Sequence, residues 1–513
     1  MNRLFICALL TIGIIVETSP LVWSQELVNY DPGEQMIRFD LKKGTVYQMI
    51  NRLSDITGYY FVYDSELINN DRKVRINPGD YKLKDLIREI TGNNVDVKLQ
   101  DKYLLLFISK GNTEITSELK LKSSADSVFI VKGRLLDRIT GEPVVYGTID
   151  VACGKKTTVS NQDGNFMLKL PDSLQSSVIR ISHIGYLNRM ISADVIAGKN
   201  IDIYLDQKII PLQEIVVRMV DPKKVLREML KRRQDNYNSE TAYLTSFFRE
   251  GIENRHGFNL TEAVLKIYKT GIHSTLASEQ VKILKMRRLG TPNYNDSLIV
   301  RLKSSIYSCQ MLDIIKNLPD FLDPQYYNYY NYSHTDITVL DERRVLVFFF
   351  EQKEEIKDPL FMGKLYIDAE NYALLKATFQ INPLYVEDAA DILVLKQSRH
   401  IKAIPQSAIY EVSYVPVDGK YYLNHVRADL TLKMKKRGSL FSSNEHVWFE
   451  MANCETNTSG VKRFANEEIV SNKNFLSEVS YSYDEAFWGN FNTLLPEKSL
   501  KELIRKYNFD IGN

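Results

Sequence analysis

The sequence predicts a multidomain chain with α+β and all-β parts: a small split β-α-β module, a β-sandwich, then a large antiparallel curved sheet or half-barrel with a few helices. Three observations carry this. Between Phe129 and Tyr186, short alternating runs are separated by turn residues at Ile139-Thr140-Gly141-Glu142-Pro143, Gly154-Lys155 and Gln162-Asp163-Gly164-Asn165. Asp-Gly between two such runs signals a hairpin with both central residues at positive φ, and the whole stretch reads as a small sandwich. Residues 46–58 and 83–92 each place apolar residues at helical spacing, end on Ile-Thr-Gly and lead into a strand-like run. From Ala242 onward apolar and polar residues alternate with period two, the mark of strands with one buried face.

The chain opens MNRLFICALLTIGIIVETSPLVWSQELVNY. Arg3 supplies a positive start, Leu4 to Val16 an apolar core, and Val22-Trp23-Ser24 a cleavage site ending on a small residue. Residues 1–24 therefore read as a secretory signal peptide, too short and wrongly flanked to span a membrane. Cleavage would leave Cys153, Cys309 and Cys454, an odd and scattered set that makes neither a disulfide framework nor a metal site. The 513 residues allow three or four domains at ~100–200 residues each. A net charge of +2 lacks the basic excess of a nucleic-acid binder, so nucleic acid is not an expected partner.

Residues 25–110 form the β-α-β module. Val46, Ile50 and Leu53 make the apolar stripe of its first helix, and Leu83, Leu86, Ile87 and Ile90 that of its second. Gly58 and Gly92 supply left-handed caps. Strands are expected at 37–41, 59–63, 73–76, 95–99 and 103–108. The doubled helix-Ile-Thr-Gly-strand pattern resembles the short N-terminal domain shared by secretins and TonB-dependent receptors, the STN domain. Residues 111–127 are polar and read as a linker.

Residues 128–208 form the sandwich, Ig-like or transthyretin-like in type. Its order of Gly133-x-Leu135-x-Asp137, Gly141-Glu142-Pro143, Asn161-Gln162-Asp163-Gly164-Asn165-Phe166 and His183-Ile184-Gly185-Tyr186 resembles the carboxypeptidase-regulatory-like domain near the N-terminus of TonB-dependent outer-membrane receptors. In those receptors a stretch similar to Leu212-Gln213-Glu214-Ile215-Val216-Val217 leads into a plug and barrel. Such a barrel has about 22 strands of ~10 residues each, plus loops. Too few residues follow here, so the receptor-like modules are expected without plug and barrel, and transport is not implied.

Residues 209–238 are a connector and a basic helix. Asp221 caps it and Pro222 suits its first turn. Val225, Leu226, Met229 and Leu230 form its apolar stripe, and Lys223, Lys224, Arg227, Lys231, Arg232 and Arg233 line the rest, either as a solvated face or as a peripheral contact with anionic headgroups. Residues 239–513 form the β-rich C-terminal domain. Val345 to Phe350 is a deep strand. Val426, Ala428, Leu430, Leu432 and Met434 alternate with polar residues after a turn at Asp418-Gly419. Residues 304–318 and 496–507 read as helical. Ser246 to Glu250 (SFFRE), Gly363 to Leu374 and Asp418 to Leu423 look like a secreted domain that often follows such a sandwich in Gram-negative proteins. The Gly363-x-Leu365-x-Ile367-Asp368 pattern resembles periplasmic lipoprotein carriers with an open half-barrel.

No catalytic spacing is present: no HExxH, GxSxG, GxGxxG, Walker loop or CxxC. No cofactor is expected. The seven histidines lie singly, and His183 reads as a structural residue in a strand. Asn161-Gln162-Asp163-Gly164 lacks the further oxygen ligands of a calcium loop. Glu387, Asp388 and Asp391 could pair for acid–base work only if burial raised one pKa, and they read instead as an exposed acidic turn. Tyr326, Tyr327, Tyr329, Tyr330 and Tyr332 form the most singular run, suited to glycan or interface contact. On the first module, Gln48, Arg52 and Asp55, with Lys84, Asp85 and Arg88, lie opposite the apolar stripes and make a candidate docking face. The expected protein is a non-enzymatic envelope protein, periplasmic or outer-membrane-associated, that docks envelope proteins or binds glycan or lipid. The alternatives are a secreted hydrolase of envelope polymers and a half-barrel carrier of lipid or lipoprotein.

Overall fold

The computed structural model describes residues 32–57, 59–62, 72–92, 95–100, 103–108, 128–151, 154–208, 220–255, 257–290, 301–302, 305–396, 401–436, 442–465, 469 and 485–506. The leader, the 111–127 linker, Gly58, Cys153 and the 209–219 connector motif lie outside them. The chain divides into two compact units, one of residues up to 61 with 70–111, the other holding most of the remainder.

The first unit contains β1 (Met36–Phe39), β2 (Lys43–Thr45), α1 (Val46–Thr57), β3 (Tyr60–Val62), β4 (Lys73–Arg75), β5 (Gly79–Lys82), α2 (Leu83–Thr91), β6 (Val95–Gln100) and β7 (Tyr103–Ile108). β1 pairs with β5, β2 with β4, and β3-β7-β6 form a three-stranded sheet. Val46, Ile50, Leu53, Leu83, Leu86, Ile87 and Ile90 are all buried, as the helical spacing required. Thr45 and Gln48 exchange backbone-to-side-chain bonds of 3.0 and 3.2 Å and so start α1 with a reciprocal cap. Gly92 ends α2 at φ +70°, its N–H donating to the Arg88 carbonyl.

The second unit begins with the sandwich: β8 (Val128–Asp137), β9 (Thr148–Val151), β10 (Lys156–Val159), β11 (Asn165–Pro171), β12 (Val178–Ser182), β13 (Arg189–Ser192), α3 (Ala193–Ile196) and β14 (Asn200–Leu205). One layer is β11-β8-β14 and the other β13-β12-β9-β10. Val131, Leu135, Phe166, Leu168, Ile149, Ile179, Ile181 and Ile201 fill the space between them. The spaced motif residues converge on one carboxylate. Asp137 accepts from the backbone N–H groups of Ile139 (2.7 Å) and Thr140 (2.8 Å), from the Tyr186 hydroxyl (2.8 Å) and from the Gln207 amide. Burial pushes this carboxyl up, but those donors outweigh it and pull it to about 2.

The Asp163-Gly164 turn differs from the hairpin expected of it. Only Gly164 has positive φ, and β10 and β11 on either side belong to opposite layers. The reason is local: the Asn161 side chain accepts from the N–H groups of Asp163 (3.0 Å) and Asn165 (2.9 Å). This Asx-type turn carries the chain across the sandwich instead of back along the same sheet.

After the sandwich come α4 (Pro222–Lys231), α5 (Arg233–Asn236), β15 (Ala242–Asn254), β16 (Gly257–Lys269), β17 (Gln280–Gly290), β18 (Arg301–Leu302), α6 (Ser305–Met311), β19 (Tyr330–Leu340), β20 (Arg343–Gln352), β21 (Phe361–Asp368), β22 (Leu374–Ile381), α7 (Ala390–Leu393), β23 (Val394–Lys396), β24 (Ile401–Val417), β25 (Lys420–Lys436), β26 (Ser442–Asn457) and α8 (Lys498–Lys506). The order β17-β16-β15-β26-β25-β24-β22-β21-β20-β19 makes a large antiparallel half-barrel. β24 and β25 join through Asp418 (φ +48°) and Gly419 (φ +81°), the two-residue turn with both φ positive. Asp221 caps α4, accepting from the Lys223 N–H at 3.0 Å. The apolar face of the curved sheet packs against Val225, Leu226 and Met229 of α4, Ile306 and Cys309 of α6, and Phe321. Among the described residues no helix is long and apolar enough to cross a membrane.

The sequence suggested a boundary after residue 208, yet the sheet runs across it. β25 pairs with β26 as far as Ala452. Beyond that point β10 of the sandwich takes its place, Lys156 lying opposite Glu455 and bridging to it at 2.6 Å. Further ties are Arg180–Asp341 (3.0 Å), Lys155–Asp418 (2.9 Å) and the Asn424 amide on the Thr148 hydroxyl (3.0 Å). Gly154 lets the two surfaces approach: a Cβ there would sit 2.3 Å from the Pro416 carbonyl oxygen.

Candidate functional site

Around the middle of β15, β16 and β26 both faces of the half-barrel sheet are buried, but differently. Phe248, Ala263, Ala428 and Phe449 point into the apolar core. Their neighbours Arg249, Glu262, Arg427 and Glu450 point the other way and are also buried. Register places them in one row: Arg287 opposite Glu262, Glu262 opposite Arg249, Arg249 opposite Glu450, and Glu450 opposite Arg427. The result is an alternating ladder of three cations and two anions across β17, β16, β15, β26 and β25. Its contacts are Arg287–Glu262 (2.6 Å), Arg249–Glu262 (2.7 Å), Arg249–Glu450 (3.1 Å) and Arg427–Glu450 (3.3 Å). Aromatic rings lie against the guanidinium groups: Phe247 on Arg249, Trp488 on Arg287 and Trp448 on Arg427, at 5.0–5.1 Å.

The segment from Phe487 to Glu497 covers this row. Arg249 donates to the Leu494 carbonyl at 2.7 Å, and Arg427 lies 3.7 Å from Glu497. Of the carboxylates beside Arg427, Glu450 and Glu497 are driven apart. Burial raises both, but at Glu450 nearby His425, Arg427 and Arg249 hold the group well below the usual range. At Glu497 burial and the Glu450 charge prevail and push it up. Split carboxylates are the signature of acid–base pairs, yet both are almost wholly covered and neither lines the adjacent cavity.

That cavity, of about 370 Å³, lies between the sandwich and the covered row. Its walls are the outer face of β8 and β11 (Ile130, Lys132, Met167, Lys169), the Arg249 and Arg287 end of the row, and Trp488 to Pro496. An isolated sandwich would show this face to water. Here Lys169 donates to the Gly489 carbonyl, and Asn492 bonds both backbone groups of Lys169, at 2.6 and 3.0 Å.

A second buried cluster sits at the far end of β16. Lys269 reaches Glu279 (3.1 Å) and Asp313 (2.7 Å); Lys316 reaches Glu279 (2.5 Å) and Thr270 (2.6 Å). Tyr414 donates to Asp313 at 3.1 Å. Its two cations and two anions satisfy one another.

The residues singled out from sequence fall elsewhere. Gln48, Asp55 and Asp85 are exposed, while Lys84 and Arg88 are half-buried. Arg52 is not a free contact, because it grips Asp40 with two bonds of 2.9 and 2.6 Å. The tyrosine run does not form one surface. Tyr327 and Tyr330 are core residues, Tyr332 is half-buried with its hydroxyl on the Phe321 carbonyl, and Tyr326 and Tyr329 are exposed. A short 3₁₀ turn at 324–329 rotates alternate rings inward. Glu387, Asp388 and Asp391 are exposed. His183 is held neutral, burial lowering it to about 4. Cys309 and Cys454 are buried thiols, Cys454 pushed up by burial to about 12. Among the described residues no group of His, Cys, Asp and Glu is arranged to hold a metal ion. Lys224, Arg227 and Lys231 of α4 and Arg232 between α4 and α5 are exposed, and Arg232 stacks on Tyr372 at 4.8 Å.

Residues 131–217 match the family described as the CarboxypepD_reg-like domain. No curated protein matches the chain. Solved structures with some likeness include a domain described as a candidate outer membrane lipoprotein-sorting protein from Vibrio parahaemolyticus. It is 9% identical, with 47% of this chain and 95% of that one covered, at a TM-score of 0.20. A DUF1329 family protein from Desulfovibrio piger is 10% identical, with 47% and 96% covered, at 0.20. MucB in complex with MucA is 13% identical, with 47% and 94% covered, at 0.15. Likeness at these scores decides neither fold nor activity.

Proposed function

We propose that this protein is a non-enzymatic component of the cell envelope, periplasmic or outer-membrane-associated, and that its second unit is a rigid ligand-binding scaffold. The observation that carries this is the cavity between sandwich and half-barrel. It combines four cationic side chains with apolar walls, and among the described residues no carboxylate lines it. The nearest carboxylates with separated pKa values, Glu450 in the row and Glu497 at the end of the covering segment, are both buried, out of reach of a substrate. The leader-like first residues support export. The first unit, with Gln48, Asp55 and Asp85 on its open helix faces, would dock an envelope protein. A carrier of lipid or lipoprotein is the second reading, favoured by the half-barrel itself. Its cargo would have to lie on the apolar face, where Phe321 now stacks on Phe350 at 4.3 Å.

The test is a turnover screen of the full chain on peptides, esters and glycans, with and without divalent metal. No turnover is expected. Turnover abolished by Glu497→Gln, or by Glu387→Gln, would defeat the non-enzymatic reading.

A further inference from the structure

We infer that the cavity between the outer face of the sandwich and the charged row binds a small amphipathic anion, a carboxylate or phosphate head on an apolar body. This rests on the non-catalytic reading above and names the ligand of the same site.

Arg249 and Arg287 do not by themselves call for an anion, because Glu262 already bridges them. The lysines differ. Lys132 and Lys169 make no ion pair among the described residues, although Lys169 is only 8% exposed. Its ammonium has the Gly489 carbonyl as a partner, while the charges that act on it are cations. Burial, then Lys132 and Lys285, push its pKa down. A cation withdrawn from water normally finds an opposite charge, since desolvation is costly and a neutral carbonyl offsets only part of it. Two of the three ammonium donors remain for a ligand. An anion between Lys132 and Lys169 would supply the missing charge.

The other walls say what the anion carries. Ile130, Met167, Trp488, Leu494 and Pro496 also face the cavity. Apolar walls contribute nothing to holding an inorganic ion but bury a hydrocarbon chain or ring. The volume of about 370 Å³ falls within the range of ~300–1,000 Å³ usual for small-molecule sites. It suits a single small amphiphile and excludes a folded partner.

The test is calorimetric titration of the full chain, below micelle concentrations, with dodecanoate, dodecyl phosphate, inorganic phosphate and dodecyl maltoside. The expected result is one site per chain for dodecanoate or dodecyl phosphate, with the better of the two naming the head group. Inorganic phosphate and the neutral maltoside should bind at least about tenfold more weakly, and Lys169→Gln and Lys132→Gln should each weaken the anionic amphiphile about tenfold, as loss of a charge-assisted contact does. Lys169→Arg should retain it. Removing a charge from a like-charged group should leave the melting temperature unchanged or higher, so weaker binding would not reflect unfolding. Equal binding of inorganic phosphate would overturn the apolar half of the inference, and equal binding of the maltoside the anionic half. Unchanged affinity in both lysine-to-glutamine variants would overturn the site. Hydrolysis of dodecyl phosphate would defeat the non-catalytic reading and leave the ligand class standing. Absence of any binding would defeat the ligand class and leave the non-catalytic reading standing.

Discussion

Around the middle of β15, β16 and β26 the two faces of the half-barrel sheet are built from the same strands and are buried by opposite means. On one face Phe248, Ala263, Leu430 and Phe449 exclude water by apolar packing. On the other, one residue along each strand, a ladder of arginines and glutamates is sealed beneath the 487–497 segment. Apolar burial stabilises in proportion to area. A buried ion pair repays its desolvation only when its geometry is good, and apolar replacements are often as stable or more so. The second face is therefore not the cheapest way to close a sheet. Its row ends in the cationic cavity, which is what an apolar face could not provide.

The largest effect should come from breaking the row at its centre. Glu262 serves two arginines at once. Glu262→Gln should cost about 3–5 kcal/mol, because removing one member leaves the others buried and uncompensated. On the apolar face Leu430→Ala should cost a comparable ~2–5 kcal/mol through the cavity it leaves. The faces part company when whole groups are replaced. The combined Arg249→Met, Glu262→Leu, Arg287→Met variant should be no less stable than the parent in denaturant melts, yet lose ligand affinity. A triple variant as unstable as Glu262→Gln alone would show that the ladder is needed for the fold.

A middle-sized effect is expected in the sandwich, whose carboxylate is held by neutral donors in place of arginines. Asp137→Asn should cost roughly 2 kcal/mol, the order expected for weakening hydrogen bonds to a charged group. Its folded pKa lies below the ordinary value, so its contribution is complete above 3.8 and fades as pH falls toward about 2. Acid melts of wild type and Asp137→Asn should converge across that window. Parallel curves would rule out this role.

The smallest effect lies at the margin of the ladder, where water returns. His446 bonds Asp429 at 2.8 Å and is 41% exposed at its side chain. That bond chiefly raises the His446 pKa above 6.5. The pair's contribution is full below 6.5 and is lost as pH rises through the higher folded value. It should amount to no more than about 1 kcal/mol, being partly exposed. NMR titration should place the His446 midpoint above 6.5, and Asp429→Asn should return it toward that value. A wild-type midpoint at or below 6.5 would contradict the pairing.

Sequence alone determined what depends on near neighbours. The alternation from Val426 to Met434 set which face of β25 is apolar, because side chains alternate along any strand. Asp418-Gly419 specified its hairpin, Asp221 the start of α4, and Ile-Thr-Gly the left-handed end of α2, since each rests on contacts within a few residues. The Tyr326–Tyr332 run was legible as aromatic, but the 3₁₀ turn that separates buried rings from exposed ones was not. The polar alternates of the 426–434 strand, Arg427 among them, read as a solvent face, because period-two alternation cannot distinguish water from a second buried layer. Only the tertiary structure decided that. Arg249, Glu262, Arg287, Arg427 and Glu450 meet through the register of five strands, and the outer face of the sandwich is brought against them by the 487–497 segment, where Gly489 and Asn492 bond Lys169. Which distant strand lies opposite which, and what then covers both, is settled by packing of the whole unit and leaves no local periodicity to read.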